Sequence, residues 1–138
     1  MREITCSTIT DAIKKMCIEA ATILPQDVEK ALSQKHDEED SALAQKTLQV
    51  LMDNAKLAQE KQMPICQDTG MAFVYVTMGQ EVHITGGSLN EAIQEGVRQG
   101  YTEGYLRKSV VKDPFIRVNT GDNTPAIIHY NIVEGDKL

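Results

Sequence analysis

The sequence predicts an α+β domain in which N-terminal helices pack around a small β-sheet and a further helix crosses that sheet. Three observations support this fold class. Apolar residues recur at helical spacing within residues 1–62, strand-favouring runs follow residue 70, and a helical segment with repeated glycines separates two of those runs. The 138 residues suit a single domain with one core, helical over 1–62 and mixed α/β over 63–138.

Three helices are predicted in the N-terminal region. The first carries apolar residues at spacings of four, three and four: Ile9, Ile13, Met16 and Ala20. Pro25 fits the first turn of the second helix, where an N–H would have no helical partner. The acidic residues 37–40 fit the start of the third helix, at the positive end of its dipole. Pro64 ends that helix, whose apolar stripe comprises Ala44, Leu48, Leu51, Ala55 and Ala58.

Strands are predicted after residue 70. The runs 71–78 and 82–85 are rich in β-branched and aromatic residues. The intervening Gly79-Gln80-Glu81 predicts a hairpin. Residues 126–133 predict a last strand. The chain then ends at Leu138 without a helix cap or a polar tail, which is typical of a segment cut from a larger fold.

A helix is predicted between the strands, from Ser88 to Arg107. Ser88 and Glu91 form a capping box at its start. Three glycines share one face of it at four-residue spacing: Gly96, Gly100 and Gly104. Each glycine costs about 1 kcal/mol relative to alanine, so a compensating interaction is expected. Close approach of another backbone provides it, either within the chain, which we favour, or at an oligomer interface.

The composition narrows the classes of function. The formal net charge is −6 and no concentrated basic face is present, so nucleic acid is not expected as a partner. No apolar run approaches the length that spans a membrane, and the N-terminus lacks the apolar stretch of an export signal. Three cysteines, an odd number, favour a reducing compartment over a disulfide framework. We therefore expect a cytoplasmic protein with no membrane partner.

The segment most suggestive of chemistry is Pro64-Ile65-Cys66-Gln67-Asp68-Thr69-Gly70. It brings a thiol, an amide, a carboxylate and a hydroxyl together between a predicted helix and a predicted strand. Loops at such junctions present functional groups on a rigid scaffold. Local chemistry alone favours a simpler interpretation, a capped turn with a half-buried thiol, and leaves a functional loop as the alternative.

This segment resembles the signature of the class I fumarases and the L(+)-tartrate dehydratase alpha subunits. The similarity continues in the same order through Gly86-Gly87-Ser88-Leu89, Glu95-Gly96-Val97-Arg98, Tyr105-Leu106-Arg107-Lys108-Ser109 and Asn119-Thr120-Gly121-Asp122-Asn123-Thr124-Pro125-Ala126. It is clear over most of residues 40–138 and weaker in the N-terminal helices. The chain therefore resembles the N-terminal part of such an alpha subunit.

The resemblance implies a hydro-lyase with a [4Fe–4S] cluster that is held by three cysteines and leaves one iron open to substrate. Cys66 matches the first cluster cysteine. Gln67 and Asp68 match residues that face the substrate, and Asp68 is also the catalytic candidate. Arg107 matches a residue that binds a substrate carboxylate. The chemistry agrees, because an open iron polarises a leaving hydroxyl, arginine matches a carboxylate and aspartate can move a proton.

The resemblance assigns the other two cluster cysteines to sequence beyond residue 138. Cys6 and Cys17 do not replace them, because eleven residues on one continuous helix span about 16 Å along its axis. Cys17 is predicted to be a small core residue and Cys6 a terminal thiol. Three histidines are predicted to be structural or solvated: His83 and His129 in strands, and His36 near a helix end.

The resemblance also leads to expectations about partners and substrates, beside which two alternative functions stand. The chain is expected to be inactive alone, and a beta subunit or a C-terminal domain supplies the remaining catalytic groups within a higher oligomer. Fumarate with malate is the first expected substrate pair, and tartrate with oxaloacetate the second. Lys108 and residues 119–124 are expected to support the pocket without an assigned role. The alternatives are a non-catalytic short subunit that binds a partner, and an α+β binding domain, which a buried Cys66 loop far from any cleft would favour.

Overall fold

The computed structural model describes all 138 residues and contains four helices and four strands. In chain order they are β1 (Arg2–Thr5), α1 (Cys6–Thr22), α2 (Gln26–Glu38), α3 (Ala42–Lys61), β2 (Phe73–Gly79), β3 (Val82–Thr85), α4 (Leu89–Glu103) and β4 (Ile127–Val133). Helices occur together with short parallel sheets, so the predicted α+β class is confirmed. No helix combines the length and the apolar character that crossing a membrane requires.

The chain divides into two compact units. The helical unit comprises Glu19–Gln67 and holds α2, α3 and the end of α1. The mixed unit comprises Met1–Ile18 with Asp68–Leu138 and holds all four strands, α4 and most of α1. The boundary therefore falls within the predicted functional segment, between Gln67 and Asp68.

The three predicted N-terminal helices are confirmed, although the inward face of α1 differs from the prediction. Ile9 and Ile13 are buried, but Met16 is 57% exposed. The inward face continues instead through half-buried Cys17, four residues after Ile13. The strand β1 that precedes α1 was not predicted, because only four residues carry it and its partner β3 lies far along the chain.

The prediction placed the whole acidic run, residues 37–40, at the start of α3, and the structure differs. Asp37 and Glu38 are the last residues of α2. A negative charge is unfavourable at the C-terminal end of a helix. For Glu38 this is offset by Lys35, one turn earlier, whose ammonium pairs with the Glu38 carboxylate at 2.6 Å. Ser41 caps α3 by accepting the Ala44 amide at 3.5 Å.

The strands form two separate two-stranded parallel sheets, β1 with β3 and β2 with β4. The predicted hairpin between β2 and β3 is therefore wrong. Neither Gln80 nor Glu81 has the positive φ that a two-residue hairpin turn needs. The amides of residues 79–81 donate instead to carbonyl oxygens of residues 133–137, after the end of β4 or at its last residue.

Helix α4 packs against α1 through its glycines, which confirms the predicted contact within the chain. A Cβ added to Gly96 would lie 2.6 Å from the Ile13 Cβ, closer than real Cβ contacts allow. A Cβ added to Gly100 would lie 2.8 Å from the Cys17 Cβ. The missing side chains therefore permit an approach of the two helices that alanine would prevent. The Ser88 hydroxyl accepts the Glu91 amide at 3.5 Å, so the predicted cap at the start of α4 is also present.

Candidate functional site

The segment that links α3 to β2 begins in the helical unit. The Asn54 side chain donates to the Ile65 carbonyl oxygen, and the Ile65 amide donates to the Ala21 carbonyl oxygen, both at 2.9 Å. These bonds hold the backbone directly before Cys66. The Cys66 thiol is free and the residue is exposed, so the half-buried thiol of the simpler interpretation is wrong. Its Sγ lies 3.4 Å from the Oε1 of Gln67, which brings two predicted site residues into contact.

Asp68 is the first residue of the mixed unit and is exposed. Its Oδ1 accepts the Gly70 amide at 3.2 Å, and Gly70 takes the left-handed φ of 60°. This turn confirms the capping part of the simpler interpretation. An ionised carboxylate has about four acceptor positions, so one capping bond leaves Asp68 with capacity for a further ligand.

Arg107 lies after α4 and not within it, contrary to the prediction. The helix ends at Glu103, and Tyr105 takes a left-handed φ of 53°. The Arg107 side chain is exposed. The Thr69 hydroxyl donates to the Arg107 carbonyl oxygen at 3.0 Å. The backbone of Arg107 is therefore bonded to the residue that directly follows Asp68.

Two buried polar side chains lie behind these segments. Asn123 is 0% exposed, and Tyr101 is 4% exposed. The Asn123 side chain accepts the amides of Ser109 and Val110 at 2.6 and 3.0 Å and donates to the Gly70 carbonyl oxygen at 3.0 Å. The Tyr101 hydroxyl donates to carbonyl oxygens of the same turn. Burial raises the pKa of Tyr101, so the phenol keeps the proton that these bonds need.

The predicted supporting loop is anchored on both sides. Asn119 donates to the Lys108 carbonyl oxygen at 2.8 Å. Arg98 of α4 donates to Asp122 at 2.9 Å. Burial acts to raise the pKa of Asp122, but hydrogen bonds from Thr124 and Arg98 outweigh it and lower that pKa to about 2. The loop is thus attached to α4 and to the segment that carries Arg107.

The cysteines other than Cys66 do not form a metal centre. No three His, Cys, Asp or Glu side chains gather into a group that could hold a metal ion. Helix α1 is continuous through Cys6 and Cys17, so these two thiols stay apart as predicted. Burial raises the pKa of the Cys17 thiol to about 11, which fits the predicted core residue and opposes a thiolate ligand.

The histidines show one departure from prediction. His83 and His129 lie in β3 and β4, and the His129 ring stacks on Tyr75 with the ring centroids 5.1 Å apart. His36 is half-buried rather than solvated, and its Nδ1 lies 3.2 Å from the Asp37 carboxylate.

Two residues that support the candidate site, Asn123 and Tyr101, were not predicted from the sequence. Asn123 lay within the predicted supporting loop but carried no assigned role. Tyr101 follows Ile93 and Val97 at four-residue spacing on the buried face of α4, a pattern that could have identified it as a core residue with a polar end. The roles of Cys66 and Arg107, like those of the other predicted site residues, stay predictions.

Comparison with known proteins finds relatives over most of the chain. The family described as Fumarate hydratase (Fumerase) matches residues 10–138. A protein of Methanocaldococcus jannaschii, provisionally named L(+)-tartrate dehydratase subunit alpha, is 36% identical over 124 residues. The anaerobic class I fumarate hydratase of Escherichia coli is 38% identical over 104 residues. The aerobic class I fumarate hydratase of Salmonella typhimurium is 41% identical over 86 residues.

These similarities cover much of this chain but less than half of each relative. They include 86%, 74% and 61% of the chain, against 43%, 19% and 15% of the three relatives in the same order. The matched part of those proteins is their N-terminal part. The similarity therefore bears on that part and not on the whole length of the relatives.

Proposed function

The chain belongs to the fumarate hydratase (Fumerase) family, and from that premise we propose that it is part of an iron–sulfur hydro-lyase acting on a small dicarboxylic acid. The reaction adds water across the double bond of fumarate to give malate, or removes it in the reverse direction. The complete enzyme includes further sequence and a beta subunit or a C-terminal domain, in a higher oligomer. This chain is inactive alone. Its three free thiols suit the reducing cytoplasm.

The observation that carries this proposal is the 3.0 Å hydrogen bond from the Thr69 hydroxyl to the Arg107 carbonyl oxygen. Thr69 directly follows Asp68, so the bond joins the side chain next to the proposed proton-transfer residue to the backbone of the proposed carboxylate-binding residue. Both side chains are exposed and accessible to a substrate. Two functions that the reaction requires are thus carried by two chain segments that this hydrogen bond connects.

Each side chain has chemistry that suits its proposed role. The Arg107 guanidinium presents a planar fork of donors that matches one substrate carboxylate. The Gln67 amide offers both donors and an acceptor to the remaining polar groups of the substrate. Asp68 carries the proton that leaves or joins the substrate carbon. The reaction requires each of these side chains to be positioned at the substrate atoms on which it acts, because proton transfer is efficient only at hydrogen-bonding distance.

Cys66 fits one ligand position of a [4Fe–4S] cluster. Its thiol is exposed, and thiolates are the ligands that such clusters use. The family resemblance assigns the other two thiolates to sequence outside this chain, and Cys6 and Cys17 lie too far apart on α1 for both to bind one cluster. When bound, the cluster supplies an iron with an open position that polarises the substrate hydroxyl.

L(+)-tartrate is the second candidate substrate, because the Methanocaldococcus jannaschii relative with 36% identity bears that name. Malate and tartrate both carry a hydroxyl beside a carboxylate, so Arg107 and Asp68 would serve either acid. A non-catalytic short subunit is the alternative from another class. The buried loop that would favour a simple binding domain is not observed, since Cys66 is exposed.

The test uses the complete enzyme, reconstituted anaerobically with iron and sulfide and assayed with fumarate and L(+)-tartrate. Asp68→Asn preserves the turn, because asparagine accepts the same amide, but removes the titratable group. We expect kcat to fall about a hundred- to ten-thousand-fold with unchanged cluster content. Asp113→Asn is the matched control, since Asp113 accepts the Phe115 and Ile116 amides at 2.9 Å in a similar turn, and its turnover should be normal.

The second variant, Arg107→Ala, should also keep the cluster. A lost charge-assisted bond costs about 1.5–3 kcal/mol, or roughly one to two decades in kcat/KM. Normal kcat for Asp68→Asn at full cluster occupancy would exclude the catalytic role. Unchanged kinetics for Arg107→Ala with both acids would remove that residue from the site. A complete protein that turns over neither acid would favour the non-catalytic subunit.

A further inference from the structure

The buried asparagine behind the site connects two backbone segments that carry proposed functional residues. The Oδ1 of Asn123 accepts the amides of Ser109 and Val110 at 2.6 and 3.0 Å. Its Nδ2 donates to the Gly70 carbonyl oxygen at 3.0 Å. Gly70 lies two residues after Asp68, and Ser109 two residues after Arg107. One fully buried side chain therefore spans the distance between the two segments.

The chemistry of these three bonds requires a side-chain amide. The oxygen of an amide accepts two bonds while its nitrogen donates, whereas a carboxylate cannot donate and an apolar side chain can do neither. A buried backbone group that loses its partner is strongly unfavourable. Asn123 also has a φ of 61°, in the left-handed region that asparagine tolerates better than most residues. The position therefore combines a donor, a double acceptor and an unusual backbone conformation.

Tyr101 supports the same turn from α4. Its hydroxyl donates to the Thr69 carbonyl oxygen at 3.0 Å and to that of Gly70 at 3.4 Å. Thr69 in turn donates its hydroxyl to the Arg107 carbonyl oxygen. The turn is thus held from the helix, from the Arg107 segment and from Asn123, while Asp68 and Arg107 themselves are exposed.

We propose that Asn123 is a positioning residue for the reaction, which sets the separation of Asp68 and Arg107 by holding the Gly70 carbonyl against the amides of Ser109 and Val110. This inference rests on the proposed function, because it acts through those two residues. Tyr101 assists by holding the turn to α4. Asn123 is fully buried and does not itself touch substrate.

The main variant is Asn123→Gly in the complete enzyme. Glycine adopts the left-handed φ without strain, so this change deletes the three side-chain bonds and leaves the backbone conformation accessible. Tyr101→Phe is the milder variant, which keeps the aromatic packing and removes only the hydroxyl. Gln94→Ala is the matched control, because the Gln94 side-chain amide also bonds to the backbone, but away from the proposed site residues. It donates to the Ala126 carbonyl oxygen at 3.2 Å and accepts the Ala126 amide at 2.8 Å.

Hydrogen exchange measures the contact independently of activity. In Asn123→Gly the amides of Ser109 and Val110 should lose protection, while that of Val97 in α4 keeps it. Retained protection of Ser109 and Val110 would overturn the proposed contact, whatever the enzyme catalyses. Should Asn123→Gly yield no folded protein, Tyr101→Phe carries the kinetic test.

Steady-state kinetics measure the positioning role. We expect kcat/KM to fall about ten- to a hundredfold in Asn123→Gly, about two- to tenfold in Tyr101→Phe and less than about twofold in Gln94→Ala, since small misplacements of reacting groups cost up to about a hundredfold. In an Asp68→Asn background, Asn123→Gly should cost less than about threefold further, because both changes act through one group. Full additivity, or normal kinetics for both Asn123→Gly and Tyr101→Phe, would overturn the role. A wild-type enzyme that turns over neither acid would instead overturn the proposed function, while the exchange result still decides the contact.

Discussion

Helix α4 of the mixed unit and helix α3 of the helical unit differ in what they bury. Six of the 15 residues of α4 are buried, including Ile93 and Val97. Helix α3 is longer, with 20 residues, yet only Ala55 and Ala58 are buried in it. Helix α2 has no buried residue. Sequence patterns predicted an apolar stripe on α3 as clearly as a packed face on α4, so a stripe alone does not measure how firmly a helix is held.

The difference bears on the candidate site, because α4 also supplies Tyr101 and Arg98, which bond to the turn and to the supporting loop. The backbone that carries Asp68 and Arg107 is thus attached to the most deeply buried helix of its unit. Substitutions in α4 should therefore change the stability of the site scaffold. Equivalent substitutions in α3 should have little effect on the stability of this chain.

The largest expected effect is that of removing core volume from α4. Ile93→Ala should lower the free energy of unfolding by about 2–5 kcal/mol, because the side chain is 1% exposed and its loss leaves a cavity. Leu51→Ala in α3 removes a similar volume from a residue that is 48% exposed and should cost less than about 1 kcal/mol. Urea unfolding of the two variants measures the difference. Equal losses would show that α3 is held as firmly as α4.

A smaller effect is expected where α4 meets α1. Gly96→Ala gains about 1 kcal/mol in helix propensity. The new Cβ would lie 2.6 Å from the Ile13 Cβ and 2.7 Å from the Thr10 carbonyl oxygen, so the two helices must separate. We expect a net loss of about 1–3 kcal/mol. The control is Ser33→Ala at an exposed position of α2, which should gain a few tenths of a kcal/mol. A stabilised Gly96→Ala protein in thermal unfolding would refute the close approach.

Helix caps provide a comparison in which the two regions should behave alike. Ser88 at the start of α4 and Ser41 at the start of α3 each accept a backbone amide at 3.5 Å. Ser88→Ala and Ser41→Ala should each cost about 0.5–1 kcal/mol, because capping depends on the local turn and not on the depth of the helix. Chemical denaturation of both variants tests this. A Ser88→Ala loss several times larger than the Ser41→Ala loss would show that the α4 cap also supports tertiary packing.

A different kind of effect, a pH dependence of stability, is expected from Asp122 in the loop attached to α4. The pKa of Asp122 is lowered to about 2 in the folded chain, below its value of about 3.9 in an unfolded chain. Its contribution to stability is therefore fully present above about pH 4 and is lost as the pH falls through about 2. Asp122→Asn should be less stable than the wild type at pH 6, with the difference shrinking between pH 4 and pH 2. A difference that stays constant over that range would show that ionised Asp122 does not stabilise the fold.

The sequence predictions were correct where an element depends on neighbouring residues and wrong where it depends on residues far along the chain. The cap at Ser88 and the start of the second helix depend on residues one turn away. The cap was predicted, and the helix start was predicted to within one residue, since Pro25 precedes the first turn of α2 and is not in it. The hairpin between β2 and β3 was wrong because strand partners lie far apart: Phe73 pairs with Ile127. For the candidate site, the segment around Cys66 was recognised from its motif, but motif resemblance does not reveal which backbone groups meet behind it.

The sequence by itself determined the α+β class, the identity of most elements and the glycine face of α4, because periodicity, capping and propensity act over a few residues. Only the tertiary structure decided that the strands form two parallel sheets, that Arg107 lies outside the helix and that Asn123 joins the Gly70 turn to Ser109 and Val110. These features depend on which backbone donors and acceptors remain unpaired after the helices form, and distant residues satisfy them.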